Sequence, residues 1–532
     1  INKKKMLSLL LFIVTLTPNT AEIFTSMAQM ENLVHLEKSF IHLLQNYVTE
    51  EEKRLTQLKL FLNEVSSNYH HMNDSDAAAY IANPVNAYLM LKRFNNEWRN
   101  LEKTIVENSR KEEFISNFER VQELLPSEED YEGAIIALFR LQDTYKLHSS
   151  ALAKGLIPGV KLGHLRPLNV GDIFEIGQFA YSNNDWHHAT DWLNTALMHI
   201  GTHENQVTRD SVLDYLAYAE FKAGKVDEAY RHTKELAILK PNEQRIVENL
   251  DYFNKYLHTS RSTSRYGDDG LKDDSSAFTS DNKNKVLNAY EQLCRGEVRP
   301  LTKKEQAKMK CWYSAKDPVL KLKPQKVERV WVDPEIFILR NIISEKQINL
   351  IKEAASPMLR RATIQDPITG KLRHADYRIS KSAWLSTNKY NFLQALEART
   401  QATTGLDLSY AEQLQVANYG LGGHYEPHFD HSRENEDRFT DLGMGNRIAT
   451  VLFYLSDVEA GGATVFTVGK TAVFPSKGDA VFWFNLKRNG KGNPNTRHAA
   501  CPVLVGQKWV SNWWIHEFGQ IFRRKCALDP NL

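Results

Sequence analysis

The stretch HYEPHFDH, residues 424–431, contains three histidines and two acidic residues, a composition typical of a metal site. Alternate side chains of an extended strand share a face. The even positions are expected on one face: His424, Glu426, His428 and Asp430. The odd positions are expected on the other: Tyr425, Phe429 and His431. Pro427 and the glycines before the stretch indicate irregular backbone near His424, so the compact candidate pair of ligands is His428 with Asp430.

A histidine and a carboxylate two residues apart supply two ligands of the two-histidine, one-carboxylate site found in non-haem Fe(II) oxygenases. The third ligand must come from elsewhere in the chain. His498 is available in TRHAACPVLVGQKWVSNWWIHEF, residues 496–518. We predict that this segment forms a hairpin with its turn near Gly506, which would place His498 opposite His516.

Lys508 lies nearer to that turn and points to a co-substrate. The keto acid end of 2-oxoglutarate chelates iron, and its far carboxylate needs a cation, whose attraction is stronger in a dry pocket than on a surface. Three ligands on one face leave coordination positions for the keto acid and for O2. Zinc accepts a similar triad but has no use for an anchoring lysine. The spacing therefore favours Fe(II), 2-oxoglutarate and O2 over zinc.

The 532 residues are enough for three or four domains. Charged residues make up 25% of the chain and nearly cancel to a net charge of +2, so there is no electrostatic signal for binding nucleic acid. A lysine cluster followed by the apolar run Met6–Leu16 predicts a signal peptide over residues 1–21; the alternative is a buried N-terminal helix. No later apolar run reaches about 18 residues, so no membrane span is expected in the mature chain.

The cysteines and one glycosylation sequon fit an oxidising secretory compartment. Proximity along the chain predicts the disulfides Cys294–Cys311 and Cys501–Cys526. A zinc site is the weaker alternative, because the sequence contains no C-x-x-C pair. The sequon at Asn73 predicts N-glycosylation.

The front of the chain is patterned as helix. From Met27 to Val65 there is neither Pro nor Gly, and apolar residues recur every seven positions: Val34, Ile41, Val48, Leu55 and Leu62. This period predicts a long helix that packs along a left-handed seam, against a second copy of the chain. The alternative is an amphipathic helix that folds back on residues 80–125. A break is expected at Asn83–Pro84.

Residues 170–255 contain two copies of a pattern with tetratricopeptide spacing, which predicts paired antiparallel helices. The module is rich in aromatic residues: Tyr181, Trp186, Trp192, Tyr215, Tyr218 and Tyr230. Aromatic grooves on helical surfaces suit proline-rich peptides, whose extended conformation needs little ordering. The alternative is that these rings belong to the helical core. The polar residues 258–284 predict a linker, and short β runs begin near Val327.

Three long motifs occur in the last part of the chain: QVANYGLGGHYEPHFDH (415–431), GNRIATVLFYLSDVEAGGATVF (445–466) and TRHAACPVLVGQKWVSNWWIHEFGQIFRRKC (496–526). Together with SVLDYLAYAE (211–220) and the front helices, they resemble the alpha subunit of animal collagen prolyl 4-hydroxylase. The resemblance implies a multidomain α + β chain with a coiled-coil-like helical front, a tetratricopeptide-like domain and a C-terminal double-stranded β-helix, or jelly roll.

The domain boundaries that follow combine this resemblance with the composition of the chain. They are a signal peptide (1–21), a helical dimerisation domain (22–145), a tetratricopeptide-like peptide-substrate-binding domain (146–257), a linker (258–285), a disulfide-containing connector (286–330) and a dioxygenase domain (331–532).

The resemblance also implies roles for single residues. His428, Asp430 and His498 correspond to iron ligands, and Lys508 to the partner of the far carboxylate of 2-oxoglutarate. Tyr419 and Thr450 are further implied cofactor-binding residues, and His516 is the implied catalytic residue, near the cofactor or substrate. The implied substrate contacts are Tyr425, Arg447 and Trp514, with Tyr181, Trp186, Tyr215 and Tyr218 in the helical repeats. His431 stands where the family has an apolar residue, and neither it nor His424 is expected to bind iron.

The implied reaction is 4-hydroxylation of peptidyl proline in X-Pro-Gly sequences of procollagen-like chains, coupled to decarboxylation of 2-oxoglutarate to succinate, with L-ascorbate rescuing the iron. One alternative is a hydroxylase of another secretory-pathway protein. Lys508 disfavours lysyl and oxygen-sensing hydroxylases, which resemble each other in using arginine there. Another alternative is a non-catalytic peptide-binding subunit.

The resemblance further implies protein partners. In this family, protein disulfide isomerase is the beta subunit of an alpha2beta2 tetramer, and the front helices correspond to the segment that joins two alpha subunits. The terminal residues DPNL contain no Lys-Asp-Glu-Leu-type signal. Retention in the endoplasmic reticulum lumen is therefore expected to depend on that partner.

Overall fold

The computed structural model describes the following residues: 23–50, 56–69, 72, 76–100, 118–119, 125–161, 165–201, 207–263, 288–365, 372–374, 378–434, 436, 438–439, 442–527 and 529. They fall into two compact units, one within residues 1–134 and 286–532 and the other within 135–285. The predicted signal peptide, Asn73 and residues 264–285 of the predicted linker lie outside the described residues. None of the described helices is both long and apolar enough to cross a membrane.

The front of the first unit is helical, as predicted. Its helices are α1 (Met27–Glu50), α2 (Thr56–Tyr69), α3 (Ala77–Ala82) and α4 (Pro84–Lys92), followed by a π-helical turn (Arg93–Glu97). The predicted break at Asn83–Pro84 is confirmed, because α3 ends just before it and α4 begins at Pro84. The Asn83 side chain accepts a hydrogen bond from the Val85 N–H, and proline suits the first position of a helix.

Four of the five heptad positions of the front helices are covered by the same chain, and the fifth, Leu55, lies outside the described residues. Val34, Ile41, Val48 and Leu62 are buried. Phe40, on the same helix as the first three, stacks on Phe118 with ring centroids 5.2 Å apart. These positions therefore match the folded-back alternative, and pairing with a second copy stays a prediction.

The second unit is built from paired helices, as the repeat predicts. Helix α5 (Glu128–Tyr145) spans the unit boundary. The helices that follow are α6 (Ser149–Leu152), α7 (Val170–Ser182), α8 (Trp186–His199), α9 (Arg209–Lys222), α10 (Val226–Leu239) and α11 (Gln244–Thr263). The close approach of α7 and α8 requires Gly177, since a Cβ there would lie 2.8 Å from the Leu193 side chain.

The rest of the first unit is an antiparallel β fold with two helices, α13 (Glu345–Ala355) and α14 (Gln394–Thr404), after a short α12 (Lys303–Gln306). The strands are β1 (Lys310–Ser314), β2 (Gln325–Val332), β3 (Glu335–Arg340), β4 (Arg360–Arg361), β5 (Thr363–Gln365), β6 (Leu372–His374), β7 (Lys381–Leu385), β8 (Leu414–Tyr419), β9 (Tyr425–His428), β10 (Arg447–Tyr454), β11 (Ala460–Gly461), β12 (Thr464–Phe466), β13 (Thr471–Val473), β14 (Ala480–Phe484), β15 (His498–Ala500), β16 (Val503–Val505) and β17 (Lys508–His516).

Two facing sheets carry the jelly roll. The major sheet has nine strands in the order β1-β2-β3-β14-β10-β17-β8-β7-β4, and the minor sheet has four in the order β13-β12-β15-β9. Because successive side chains of β17 point to opposite faces, the major sheet contributes to a hydrophobic core on one face and to a cavity on the other. Trp513 and Ile515 join the core that includes Ile348 of α13, whereas Lys508 and Trp514 line a cavity on the other face.

The predicted hairpin between His498 and His516 is wrong. Gly506 does turn the chain, with φ +96°, but it leads from β16, which pairs with β11 in a separate two-stranded sheet, into β17 of the major sheet. His498 pairs with His428 in the minor sheet, and His516 pairs with Arg447 in the major sheet. Because this fold passes the chain between sheets, β15 and β17 do not pair with each other although they are close in sequence.

The predicted disulfide pairing is also wrong. The structure joins Cys294 to Cys501, which are 207 residues apart, and leaves Cys311 and Cys526 exposed as free thiols. Helical residues 288–294 pack where β15 ends, and the Tyr290 hydroxyl lies 3.2 Å from the Ala500 carbonyl oxygen, to which it donates a hydrogen bond. Distance along the chain is a poor guide to pairing when two segments meet through tertiary structure.

Candidate active site

Two histidines and one aspartate converge at the inner edge of the minor sheet. His428 ends β9, His498 begins β15, and the two residues pair directly across the ladder. Asp430 lies just beyond β9, with its Oδ1 3.7 Å from His428 Nε2 and its Oδ2 3.6 Å from His498 Nε2. One ligand atom from each of the three residues lies within 4.8 Å of the others. The arrangement is a two-histidine, one-carboxylate face.

The backbone sets the tautomer of both histidines. His428 Nδ1 lies 2.7 Å from the Glu426 carbonyl oxygen, and His498 Nδ1 lies 2.9 Å from the Thr496 carbonyl oxygen. Each Nδ1–H therefore donates to a carbonyl, which leaves the Nε2 lone pair directed at the common centre. Burial, followed by the neighbouring His498, also lowers the pKa of His428, which favours the neutral ring that binds metal.

Asp430 is oriented by residues from the major sheet. The Thr450 hydroxyl on β10 donates to Asp430 Oδ2 at 2.7 Å, and Asn485 Nδ2 donates to the Thr450 hydroxyl at 2.9 Å. Burial acts to raise the pKa of Asp430, but the two facing histidines and Arg447 outweigh it and hold that pKa below its ordinary value. The carboxylate is thus ionised and fixed in direction.

Tyr425 does not point away from His428 as strict alternation predicts. Its ring stacks on the His428 ring with centroids 3.6 Å apart, and both residues line the cavity. The ladder between β9 and β15 shifts register between His498 and Ala500, and Pro427 lies inside β9. The period of two therefore breaks between Tyr425 and His428.

The cavity next to the triad is lined by donors that lack acceptors. Lys508 Nζ, Asn512 Nδ2, Trp514 Nε1 and Arg378 Nε are buried and find no hydrogen-bond partner among the described residues. A buried donor without a partner is costly, so this cavity is suited to a ligand rich in acceptor oxygens. A dicarboxylate with a keto group is such a ligand.

Lys508 is the cation of this cavity. It is 1% exposed, and burial lowers its pKa to about 7. Its Nζ lies 5.0 Å from the centroid of the Tyr419 ring, and Tyr419 is its partner in the β8–β17 ladder. Burial raises the pKa of Tyr419 to about 12, so its phenol is a neutral donor. The two residues therefore lie together at the wall of the cavity.

Arg378 is a cavity residue that the sequence did not single out. Its guanidinium lies over the Tyr425 ring at 4.8 Å, and its Nη2 donates to Gln415 Oε1 at 2.9 Å. It brings a second positive charge to the cavity wall. Its position just before a β run carried no motif, and only tertiary contacts bring it to the site.

Arg447 and Trp514 form one side of the site, held by a residue that sequence reasoning missed. The Arg447 guanidinium lies 3.7 Å from the Trp514 ring centroid and pairs with Glu412 through bonds of 2.5 and 3.0 Å. The predicted residue His516 is buried behind this group. Its Nδ1 lies 2.7 Å from the Gly445 carbonyl oxygen and its Nε2 lies 3.0 Å from Glu412 Oε1. His516 thus contacts Glu412, and Trp514 lines the cavity.

His424 and His431 lie outside the triad. His424 is buried, and its backbone carbonyl accepts a hydrogen bond from the Ile379 N–H. His431 is buried against the backbone of Gly492. A Cβ added to Gly492 would lie 2.2 Å from His431 Nε2. Among the described residues, the metal-binding group contains His428, Asp430 and His498.

Five of the six aromatic residues that the sequence singles out in the helical unit fall into two groups, and Tyr230, on α10, belongs to neither. Trp192 belongs to the core, because it is fully buried and its Nε1 donates to Gln142 Oε1 at 2.7 Å. Four others form a half-exposed cluster of mutual ring contacts between 5.0 and 6.1 Å: Tyr181, Trp186, Tyr215 and Tyr218. Lys222 Nζ lies 5.7 Å from the Tyr218 ring and 5.9 Å from the Trp186 ring. The cluster is an aromatic surface with the Lys222 ammonium at its edge.

The donor set fits Fe(II) with a bound keto acid. One face of neutral imidazoles and a carboxylate leaves the opposite face open, and the unpaired donors of the cavity lie beside it. Lys508 supplies a charge that a zinc hydrolase site would not use.

Three family models match the chain. The prolyl 4-hydroxylase alpha-subunit N-terminal region matches residues 26–159, the prolyl 4-hydroxylase peptide-substrate-binding domain matches 170–259, and the 2OG-Fe(II) oxygenase superfamily matches 414–516. The oxygenase match and the triad make the chain a dioxygenase that uses Fe(II), 2-oxoglutarate and O2, and L-ascorbate is typical of prolyl 4-hydroxylases.

Known proteins resemble the chain along most of its length. Prolyl 4-hydroxylase subunit alpha-1 of Homo sapiens is 44% identical over 517 residues, which cover 95% of this chain and 96% of the relative. Prolyl 4-hydroxylase subunit alpha-2 of Caenorhabditis elegans is 42% identical over 530 residues, which cover 96% and 94%. The crystal structure of a viral collagen prolyl hydroxylase from Paramecium Bursaria Chlorella virus-1 is 22% identical, covers 34% of this chain and 94% of its own, and gives a TM-score of 0.27. The chain belongs to the prolyl 4-hydroxylase alpha-subunit family.

Proposed function

We propose that this chain hydroxylates C4 of proline in X-Pro-Gly sequences of collagen-like peptides. One oxygen atom of O2 becomes the new hydroxyl and the other enters succinate, as 2-oxoglutarate loses CO2. The observation that carries the proposal is the set of unpaired buried donors, Lys508 Nζ above all, in one cavity with the His428, Asp430 and His498 triad.

His428, Asp430 and His498 would hold Fe(II), which supplies O2 activation coupled to oxidation of the keto acid. The chain itself positions and shields the reactants. Lys508 pairs with the far carboxylate of 2-oxoglutarate, with Tyr419 beside it, and this charge pairing gains strength because the pocket is dry. Thr450 holds the direction of Asp430.

Tyr425, Arg447 and Trp514 would contact the peptide. Tyr425 and Trp514 line the cavity, and Arg447 is held rigid by Glu412. Aromatic faces and a fixed guanidinium suit proline rings and backbone carbonyl oxygens. His516 would act through Glu412 and Arg447 rather than by touching substrate.

The peptide substrate would also bind at a second place, the half-exposed aromatic cluster of Tyr181, Trp186, Tyr215 and Tyr218. Stacked aromatic rings match the preformed extended helix of proline-rich peptides. Binding at two places raises the effective concentration of further proline residues at the iron site, which suits a repetitive substrate.

The proposal extends to the setting of the enzyme. Protein disulfide isomerase would be the beta subunit of an alpha2beta2 tetramer, with two alpha subunits joined through the N-terminal helices. The complex would lie in the endoplasmic reticulum lumen, and L-ascorbate would restore iron after uncoupled turnover. Similarity to prolyl 4-hydroxylase alpha subunits supports this setting.

A charge-selective pair of variants tests the proposed function. Lys508→Met should abolish 2-oxoglutarate-dependent succinate release with a (Pro-Pro-Gly) peptide, whereas Lys508→Arg should retain part of it because the cation remains. Hydroxyproline is measured on the same samples. Full activity of Lys508→Met, or hydroxylation without succinate, would contradict the proposal.

A further inference from the structure

The first described residues of the chain pack against the strand that carries Tyr419. The Leu421 N–H, just after β8, donates to the Phe24 carbonyl oxygen at 3.0 Å. Thr25 and Ser26 are fully buried, and Phe24 and Met27 nearly so. These residues belong to the same compact unit as the oxygenase fold. The start of the N-terminal helices is therefore an integral part of that fold.

Glycine makes this contact possible. A Cβ at Gly420 would lie 1.9 Å from the Phe24 carbonyl oxygen, and a Cβ at Gly133 would lie 2.3 Å from the Phe24 ring. The Phe24 N–H donates to Asp130 Oδ1 at 3.2 Å, so the segment is held from its other side as well. Neither glycine has a positive φ, so the backbone conformation does not require glycine at either position. Both leave room for the segment.

Asn418 links this segment to Lys508. Its Oδ1 accepts hydrogen bonds from the Ser26 hydroxyl at 2.9 Å and from the Ala28 N–H at 3.0 Å. Its Nδ2 lies 3.5 Å from the Lys508 carbonyl oxygen, to which it donates. Asn418 is fully buried and immediately precedes Tyr419. The Asn418 side chain thus joins the start of α1 to the backbone of Lys508, the candidate partner of the far carboxylate of 2-oxoglutarate.

Two further contacts flank Asn418. Gln29 accepts a hydrogen bond from Lys381, which pairs with Asn418 in the β7–β8 ladder. Glu31 accepts one from Gln507, the residue before Lys508. Successive positions of α1 therefore hold β7, β8 and the start of β17 together, at the point where Tyr419 and Lys508 pair.

We infer that residues 24–31 are a positioning element for the 2-oxoglutarate pocket, with Ser26 and Asn418 as its positioning residues. The segment does not touch the pocket but fixes the register of Tyr419 and Lys508 from behind. The inference rests on the proposed function, since it assigns to Lys508 the far carboxylate of 2-oxoglutarate. Affinity for 2-oxoglutarate then depends on residues that lie far outside the oxygenase domain in sequence.

Direct binding of 2-oxoglutarate to the full chain tests the inference. Isothermal titration of the manganese-loaded, anaerobic protein gives the Kd without turnover. Ser26→Ala removes one buried hydrogen bond and should weaken 2-oxoglutarate binding about threefold to tenfold, while affinity for a (Pro-Pro-Gly) peptide stays unchanged. Ser26→Thr keeps the hydroxyl and should restore the Kd. Gly420→Ala should weaken binding more than Ser26→Ala does.

A matched control lies on α1, the helix that Ser26 immediately precedes. Ser39 of α1 donates to the His35 carbonyl oxygen at 3.2 Å, so Ser39→Ala removes a hydrogen bond that does not reach β8. It should leave the Kd unchanged. An unchanged Kd in folded Ser26→Ala protein, or an equal loss of peptide affinity, would overturn the inference. If Lys508→Met also left the Kd unchanged, the proposed function itself would fail.

Discussion

At the scale of single residues, the site contains buried hydrogen-bond donors that a ligand can satisfy. The Lys508 amine is buried in the cavity wall, and none of the described residues accepts a hydrogen bond from it. Burial lowers its pKa to about 7. A dicarboxylate that enters the cavity supplies the missing acceptor and stabilises the charged amine. A bound dicarboxylate therefore offsets the cost of burying these donors.

This titration predicts a pH dependence for 2-oxoglutarate binding. Above about pH 7 the ligand-free amine of Lys508 is mostly neutral. Binding must then take up a proton, so the Kd should rise with pH by up to about tenfold per pH unit. Isothermal titration between about pH 6.5 and 9 measures it. Lys508→Arg keeps its charge throughout and should flatten the profile; a flat profile in the unaltered chain would contradict the assignment.

Thr450 is predicted to control iron affinity without binding iron. Thr450→Val removes the hydroxyl that donates to Asp430 Oδ2 and leaves Asn485 Nδ2 without its acceptor. Loss of such a supporting bond typically lowers metal affinity about 10- to 100-fold. Competition with a chelator under anaerobic conditions measures the change. Thr450→Ser keeps the hydroxyl and should bind iron nearly as well as the unaltered chain, and equal losses in both variants would refute the orienting role.

The chemistry of the triad could be predicted from sequence, but its support could not. His428 and Asp430 stand two apart, and Lys508 follows His498 by ten residues, so the residue types and spacing carry the signal. Arg378, Glu412 and Asn485 lie outside the named strands, in separate connecting segments, and carry no motif. Their roles arise only when the two sheets face each other.

At the scale of elements, side chains alternate between two faces where the strands are regular. Along β17, Lys508 and Trp514 face the cavity while Trp513 and Ile515 join the core, as a period of two requires. The same rule misplaced Tyr425, because a register shift lies within the β9–β15 ladder. The hairpin prediction failed for a related reason: local turn signals at Gly506 do not reveal which sheet the next strand joins.

The aromatic cluster of the helical unit is predicted to set peptide affinity. Tyr218→Ala removes a ring that contacts Tyr181 and Trp186, and it should raise KM for long (Pro-Pro-Gly) peptides about fivefold to tenfold with kcat unchanged. Tripeptide substrates, too short to reach two sites, should be unaffected. Tyr230→Ala is the control, since Tyr230 lies on α10 outside the cluster. A fall in kcat in Tyr218→Ala, or an equal effect of Tyr230→Ala, would count against a binding role.

At the scale of the whole molecule, the first unit joins two ends of the chain. Ser26 bonds to Asn418 across 392 positions, and Gln507 to Glu31 across 476. Composition and periodicity predict helices in residues 22–145 but do not reveal these contacts, because they report only local pattern. Contacts between such distant segments depend on shape complementarity, such as the space at Gly420.

The disulfide Cys294–Cys501 is a covalent link between two distant segments of the first unit, and peptide mapping can test it directly. A non-reducing digest should yield a peptide pair that links Cys294 to Cys501, with Cys311 and Cys526 recovered alkylated. Because the closed loop is long, Cys294→Ser and Cys501→Ser should each destabilise the protein by about 2–5 kcal/mol. Cys311→Ser, at an exposed thiol, should change stability little. Recovery of Cys294–Cys311 and Cys501–Cys526 peptides would instead restore the pairing that sequence proximity predicts, and would require helical residues 288–294 to pack differently against β15.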